Sequence, residues 1–266
     1  MSGLPRTRKI RHQIAGSQAT PVCQCYDFKN KKPCSRNTQG KSLYCNLHQN
    51  CPTSPRSGFE PPYDPEKYNG NPSIYKSHNC YAYSMDVIDP KLVKQCKRNT
   101  RKNTCRQNFH QPGALHGDRF TLNVEKRRTC PVVEDLMLSD VPEISKTSFY
   151  QKCPKHMSKI ALVVDPGEDY HYYRQDSDGL WSHKDGSNKV KRYDAFRKNI
   201  ANPKLASRDY RNQGSDLNYE DFCGFYCVPR YDEIHLGQGG SKKVSKKKAR
   251  AVAKTRKMIA NWLSGK

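Results

Sequence analysis

The chain has 266 residues and a formal net charge of +23, and only 34% of its residues are hydrophobic. With a mean hydropathy of −0.99, no window approaches the apolar run of about 18 residues that a membrane helix needs. What remains is one compact α+β domain with polar appendages. The opening MSGLPRTRKIRHQIAGSQ lacks the apolar centre of a signal peptide, so an intracellular chain without a transmembrane segment is expected.

Residues 1–22 form a basic arm with four basic side chains and no acidic one. Such arms seek polyanions: acidic protein surfaces, nucleic acid or an anionic membrane face. Residues 23–51 concentrate five of the twelve cysteines, together with His48. In a chain expected to be intracellular, metal ligation and a catalytic thiol outrank a disulfide framework. The spacing of Cys25, Cys34, Cys45 and His48 offers three thiolates and one imidazole, the closed set of a structural zinc. Cys23 is an alternative to Cys25, and Cys51 is spare. A segment with so little core would take its folding free energy from the metal.

Residues 52–72 hold six prolines and read as a poorly ordered linker or as a strap across a surface. Residues 73–230 read as the α+β domain. NCYAYSMDVI suits a helix opening at Cys80 and ended by Asp89-Pro90, and Pro90 fits the first turn of a second helix, KLVKQCKRN. A basic knot, CKRNTRKNTCRQ, follows. KIALVVDP (159–166) reads as a buried strand. YHYYRQ and LWSHK flank DSDG as a hairpin. A three-residue loop with Gly179 in the left-handed conformation pairs Tyr173 with His183 and puts His171 on the same sheet face. FCGFYCV (222–228) is a further strand, on which Cys223, Phe225 and Cys227 share a face by alternation, as core packing. Cys153 and His156 could form a second zinc site with Cys96, Cys105 or Cys130. In residues 231–266, LGQGGS makes a hinge. Residues 242–263 read as a basic amphipathic helix with an apolar stripe of Val252, Ile259, Trp262 and Leu263.

Cys80 stands at a helix mouth, where partial positive charge and free N–H groups favour a thiolate. With His171 as base and His183 orienting it, a nucleophile, base and orienter are assembled in outline. Cysteine at a helix start, then a strand histidine, then a polar residue on the next strand resembles the papain-like thiol hydrolases, nearest the NlpC-like branch. NCYAY is similar to the openings of CHAP-type amidases. The likeness covers residues 77–88 and 159–228. It departs where Tyr81-Ala82-Tyr83 replaces the usual small residues and where about seventy residues separate helix from sheet. It implies cleavage of an amide or acyl bond through a thioacyl intermediate on Cys80. The Cys-rich N-terminal module is similar to modules in proteins of large DNA viruses and phages.

Three functions are therefore expected. The first is a viral thiol hydrolase acting through Cys80, His171 and His183. The second is a virion structural protein, such as a minor capsid protein, using the same fold as a scaffold with its basic arms on other virion proteins. The third is a zinc-containing nucleic-acid-binding protein. The corresponding location is the virion or the host cytoplasm.

Overall fold

The computed structural model describes residues 20–27, 29–98, 105, 109–116, 128–230, 234 and 236. The helix expected over 242–263, nearly all of the basic arm and most of the basic knot lie outside the described residues.

The order of elements is helices first, then an antiparallel sheet, an α+β arrangement. Two short strands, β1 (Tyr26–Asp27) and β2 (Lys32–Pro33), pair in the N-terminal module. Helices follow at α1 (Glu66–Asn69), α2 (Pro72–Ser77), α3 (Cys80–Ser84), α4 (Pro90–Arg98) and α5 (Cys130–Asp140). The main sheet contains β3 (Ser145–Thr147), β4 (Met157–Asp165), β5 (Asp169–Gln175), β6 (Trp181–Lys184), β7 (Val190–Lys191) and β8 (Asp221–Pro229). Its spatial order is β3-β8-β4-β5-β6-β7, antiparallel throughout.

Alternation along β4 divides the core in two. Ile160, Leu162 and Val164 face α3 and α5, where they meet Tyr81, Met137, Tyr170, Tyr172 and Tyr226. Ala161 and Val163 face the long segment between β7 and β8, where Trp181, Ile200, Tyr210 and Tyr219 close the second layer. The residues between 52 and 72 are a strap. Ser57 donates to the Met157 carbonyl, Gln175 donates to the Ser54 carbonyl, and Ser177 N–H donates to the Pro61 carbonyl.

Helix α3 starts where the sequence puts it. Asn79 is extended and its side chain accepts the Ala82 N–H, a capping bond that satisfies a first-turn donor. The helix is short because Asp86 turns left-handed, at φ +61°. His78 fastens this junction. Its Nδ1 donates to the Ile74 carbonyl at 3.0 Å and its Nε2 accepts the Asp89 N–H at 2.8 Å. That pairing needs the neutral ring, and burial pushes the group down from 6.5 to about 4. A lowered folded value gives stability that is complete above the unfolded value and lost as pH falls towards the folded one. The His78 contribution should therefore decline by about 1.4 kcal/mol per pH unit from about pH 6.5 to 4. Denaturant unfolding at stepped pH should show a shallower slope for His78→Gln than for the parent chain.

Lys184 fastens the same region from β6. Its buried ammonium donates to the carbonyls of Tyr75, His78 and Gly186 at 2.5, 2.5 and 2.7 Å, and burial lowers its pKa to about 7.

Cysteine usage corrects the sequence expectation. Eight of the twelve cysteines form bridges, Cys25–Cys51, Cys96–Cys105, Cys130–Cys223 and Cys153–Cys227, while Cys23, Cys34, Cys45 and Cys80 are free. A second zinc site built on Cys153 and His156 is thereby removed, since Cys153, Cys96, Cys105 and Cys130 are all bridged. Cys223 and Cys227 also do not share a face. The β4–β8 register shifts between Leu162 and Val163, so Phe222 and Phe225 both reach the second layer although they are three apart. The bulge turns Cys223 to the helix side, where it meets Cys130, and leaves Cys227 on the other side with Cys153.

Candidate metal centre

Among the described residues, the core of the N-terminal module is built on its cysteines. Its buried cluster is Cys23, Cys25, Cys34 and Cys45, with Tyr44 and Cys51 packed against it. Cys23 precedes β1, Cys34 follows β2, and Cys45 stands before the 3₁₀ turn Asn46–His48, which carries His48 back towards the thiols. The turn closes with the His48 N–H donating to the Cys45 carbonyl at 2.9 Å.

The ligand atoms of Cys23, Cys34, Cys45 and His48 all lie within 4.8 Å of one another. Cys34 and Cys45 sulfurs are 3.9 Å apart. His48 Nδ1 is 3.6 Å from the Cys23 sulfur and 3.5 Å from that of Cys45. A tetrahedral ion with ordinary metal–sulfur and metal–nitrogen lengths sets these edges at about 3.8 and 3.6 Å. The group is therefore of the size and donor type to hold a metal ion. Without one, burial holds the Cys23 thiol up at about 11. At Cys45 burial acts in the same direction but is outweighed by the Leu47 N–H and the neighbouring thiols, and the net shift is downward.

Cys25 does not join this group, as the spacing suggested; Cys23 takes its place. Cys25 is bridged to Cys51, the cysteine that appeared spare. Two residues apart on an extended segment, Cys23 and Cys25 point the same way, so alternation could not separate them. The signal available was the parity of five cysteines, one pair plus three free thiols. The module docks on the domain through Gln24, which donates to the Asn199 carbonyl and accepts the Ala201 N–H, and through Lys198, which donates to the Ser42 carbonyl at 2.7 Å.

His171 and His183 converge on one face, and Tyr173 pairs with His183 as the hairpin loop required. His171 Nε2 and His183 Nδ1 are 2.8 Å apart, and His183 Nε2 donates to the Tyr193 carbonyl at 3.0 Å. Asp185, missed in the sequence, joins them: its Oδ1 is 3.1 Å from His183 Nδ1 and 3.5 Å from His171 Nε2. The signal was its spacing, two residues beyond His183 and so on the same face.

Cys80 does not join this group. His171 pairs across strands with Val163 and stacks on Tyr173 and Tyr219, all in the second layer. Cys80 is buried in the first layer with Tyr81, Tyr170 and Tyr172, and no hydrogen bond links its sulfur to either histidine. Burial pushes the thiol far up, overriding the helix terminus. The helix mouth positions Cys80 as expected, but the sheet stands between the sulfur and the base.

No family model matches the chain, and no solved structure matches it. Among curated proteins, insoluble matrix shell protein 1 of Ruditapes philippinarum is 31% identical over 166 residues, spanning 62% of this chain and 88% of that protein. With that identity over nearly the whole of the relative, the chain belongs to the family of insoluble matrix shell protein 1.

Proposed function

We propose that this chain is a structural constituent of an insoluble matrix: a scaffold fixed by disulfides and a zinc ion, with basic segments that bind acidic matrix components. The likeness to a protein named for an insoluble shell matrix, over 88% of its length, carries this reading. Four disulfides suit an oxidising, extracellular setting rather than the virion or host cytoplasm. Among the described residues no helix is long and apolar enough to cross a membrane. Three thiolates and an imidazole make a closed set that suits zinc and leaves no position for a substrate, which is the structural type of site. On this reading the helices and the antiparallel sheet serve as a scaffold, and Cys80 fills space in its core.

The basic segments supply the attachment. Residues 237–266 carry ten basic side chains and no acidic one. Their attraction to a polyanion is screened by salt. Deleting residues 237–266 should weaken binding of the chain to polyaspartate by about tenfold or more at low salt and flatten the salt dependence, with the thermal transition of the domain unchanged. Equal binding and an equal salt slope in the deleted chain would remove this role from the tail.

A further inference from the structure

The His171–His183–Asp185 cluster has no part in the scaffold reading, yet its geometry is that of a donor set. Its three facing atoms are 2.8, 3.1 and 3.5 Å apart. An ion about 2.0–2.2 Å from each of two imidazole nitrogens and a carboxylate oxygen sets such edges at about 2.9–3.4 Å. We propose that His171 Nε2, His183 Nδ1 and Asp185 Oδ1 bind a divalent transition-metal ion, a second site separate in place and chemistry from the thiolate knot.

Three further observations support this assignment. His183 donates its other ring N–H to the Tyr193 carbonyl, which leaves the Nδ1 lone pair facing the cluster and is the outer-shell bond typical of a ligating histidine. Lys191 holds the second carboxylate oxygen of Asp185 at 2.5 Å, leaving Oδ1 turned towards the two rings. The two histidines are 2% and 0% exposed, whereas the Asp185 side chain is 34% exposed. The ligands are therefore held rigidly by packing, with Tyr173 and Tyr219 against the His171 ring, while one side opens to solvent for entry of an ion and for water in its remaining positions. Two nitrogens and one oxygen, with no sulfur, suit zinc, cobalt or nickel rather than a soft ion.

The competing account is a hydrogen-bonded cluster in which His171 Nε2–H donates to His183 Nδ1 and Asp185 serves only Lys191. Zinc stoichiometry of the full chain after equilibrium dialysis separates the two. The metal site predicts two zinc ions per chain, with Asp185→Asn keeping only the thiolate-bound ion and Cys45→Ser keeping only the ion at the histidines. An Asp185→Asn chain with the parent's zinc content overturns it. Cobalt titration of the unmutated chain needs no variant to fold. Thiolate-to-cobalt charge-transfer absorption should accompany one equivalent, and ligand-field bands without charge transfer the other. A chain that takes up only thiolate-bound cobalt has no second site.

Discussion

Cys45→Ser is expected to abolish order in the N-terminal module while leaving the six-stranded sheet intact. Among the described residues, the module's regular elements are two strands of two residues each and one 3₁₀ turn, and its buried cluster consists of cysteines. Among the described residues, nothing else in it buries enough apolar area to offset about 1–2 kcal/mol of backbone entropy per ordered residue. Structural zinc in small modules contributes on the order of 10–16 kcal/mol of apparent binding free energy at neutral pH. With zinc in the group as proposed, removing one of its four ligands forfeits most of that and leaves two thiols and an imidazole packed without a centre. Hydrogen exchange followed by mass spectrometry should show amides of the module losing protection in Cys45→Ser and, equally, in the parent chain after chelation. Protection across β4, β5 and β8 should persist. The Cys25–Cys51 bridge limits the module's expansion without restoring its order, and unchanged protection under both treatments would deny the metal its structural role.

The second large effect is expected at β8. Its two cysteines anchor bridges to α5 and to the segment before β4, spanning sequence separations of 93 and 74. In the chain-entropy account, each such closure stabilises by about 4–5 kcal/mol. Domains of this size are stable by only about 5–15 kcal/mol in total. Replacing Cys130 and Cys223 by alanine should lower Tm by about 10 °C or more. Replacing both pairs should leave the chain largely unfolded at room temperature. The Cys96–Cys105 bridge closes a separation of only 9 and should matter least. Calorimetry on the three variants checks the order, and a Cys96–Cys105 loss as large as that at β8 would contradict it.

Local signals in the sequence were legible wherever one residue's backbone chemistry decided the outcome. Gly179 adopts φ +91°, and the left-handed turn it permits pins the Tyr173–His183 register. Asn79 caps the helix at Cys80, and Pro90 opens α4. Long-range pairing was not legible. Whether Cys130 reaches Cys223 depends on a bulge in β8 that alternation does not reveal, and whether Cys80 meets His171 depends on which face of β5 the helix covers. Alternation fixes that His171 and Tyr172 point oppositely, but only the packing of α3 on Tyr170 and Tyr172 decides that Cys80 lies on the tyrosine side. The bridges were not legible for a related reason: the residues that argued for metal and catalytic thiols argue equally for bridges until their partners are seen.

On the proposed reading the chain is a chemically inert scaffold held by bridges and metal, with no reactive thiol. Labelling the native chain at neutral pH with a thiol-directed electrophile, followed by non-reducing peptide mapping, tests it most directly. The account predicts four linked peptide pairs, Cys25–Cys51, Cys96–Cys105, Cys130–Cys223 and Cys153–Cys227, and no label on Cys80 until the chain is unfolded. Rapid and selective labelling of Cys80 in the folded chain would contradict it and return the thiol to the centre of the function.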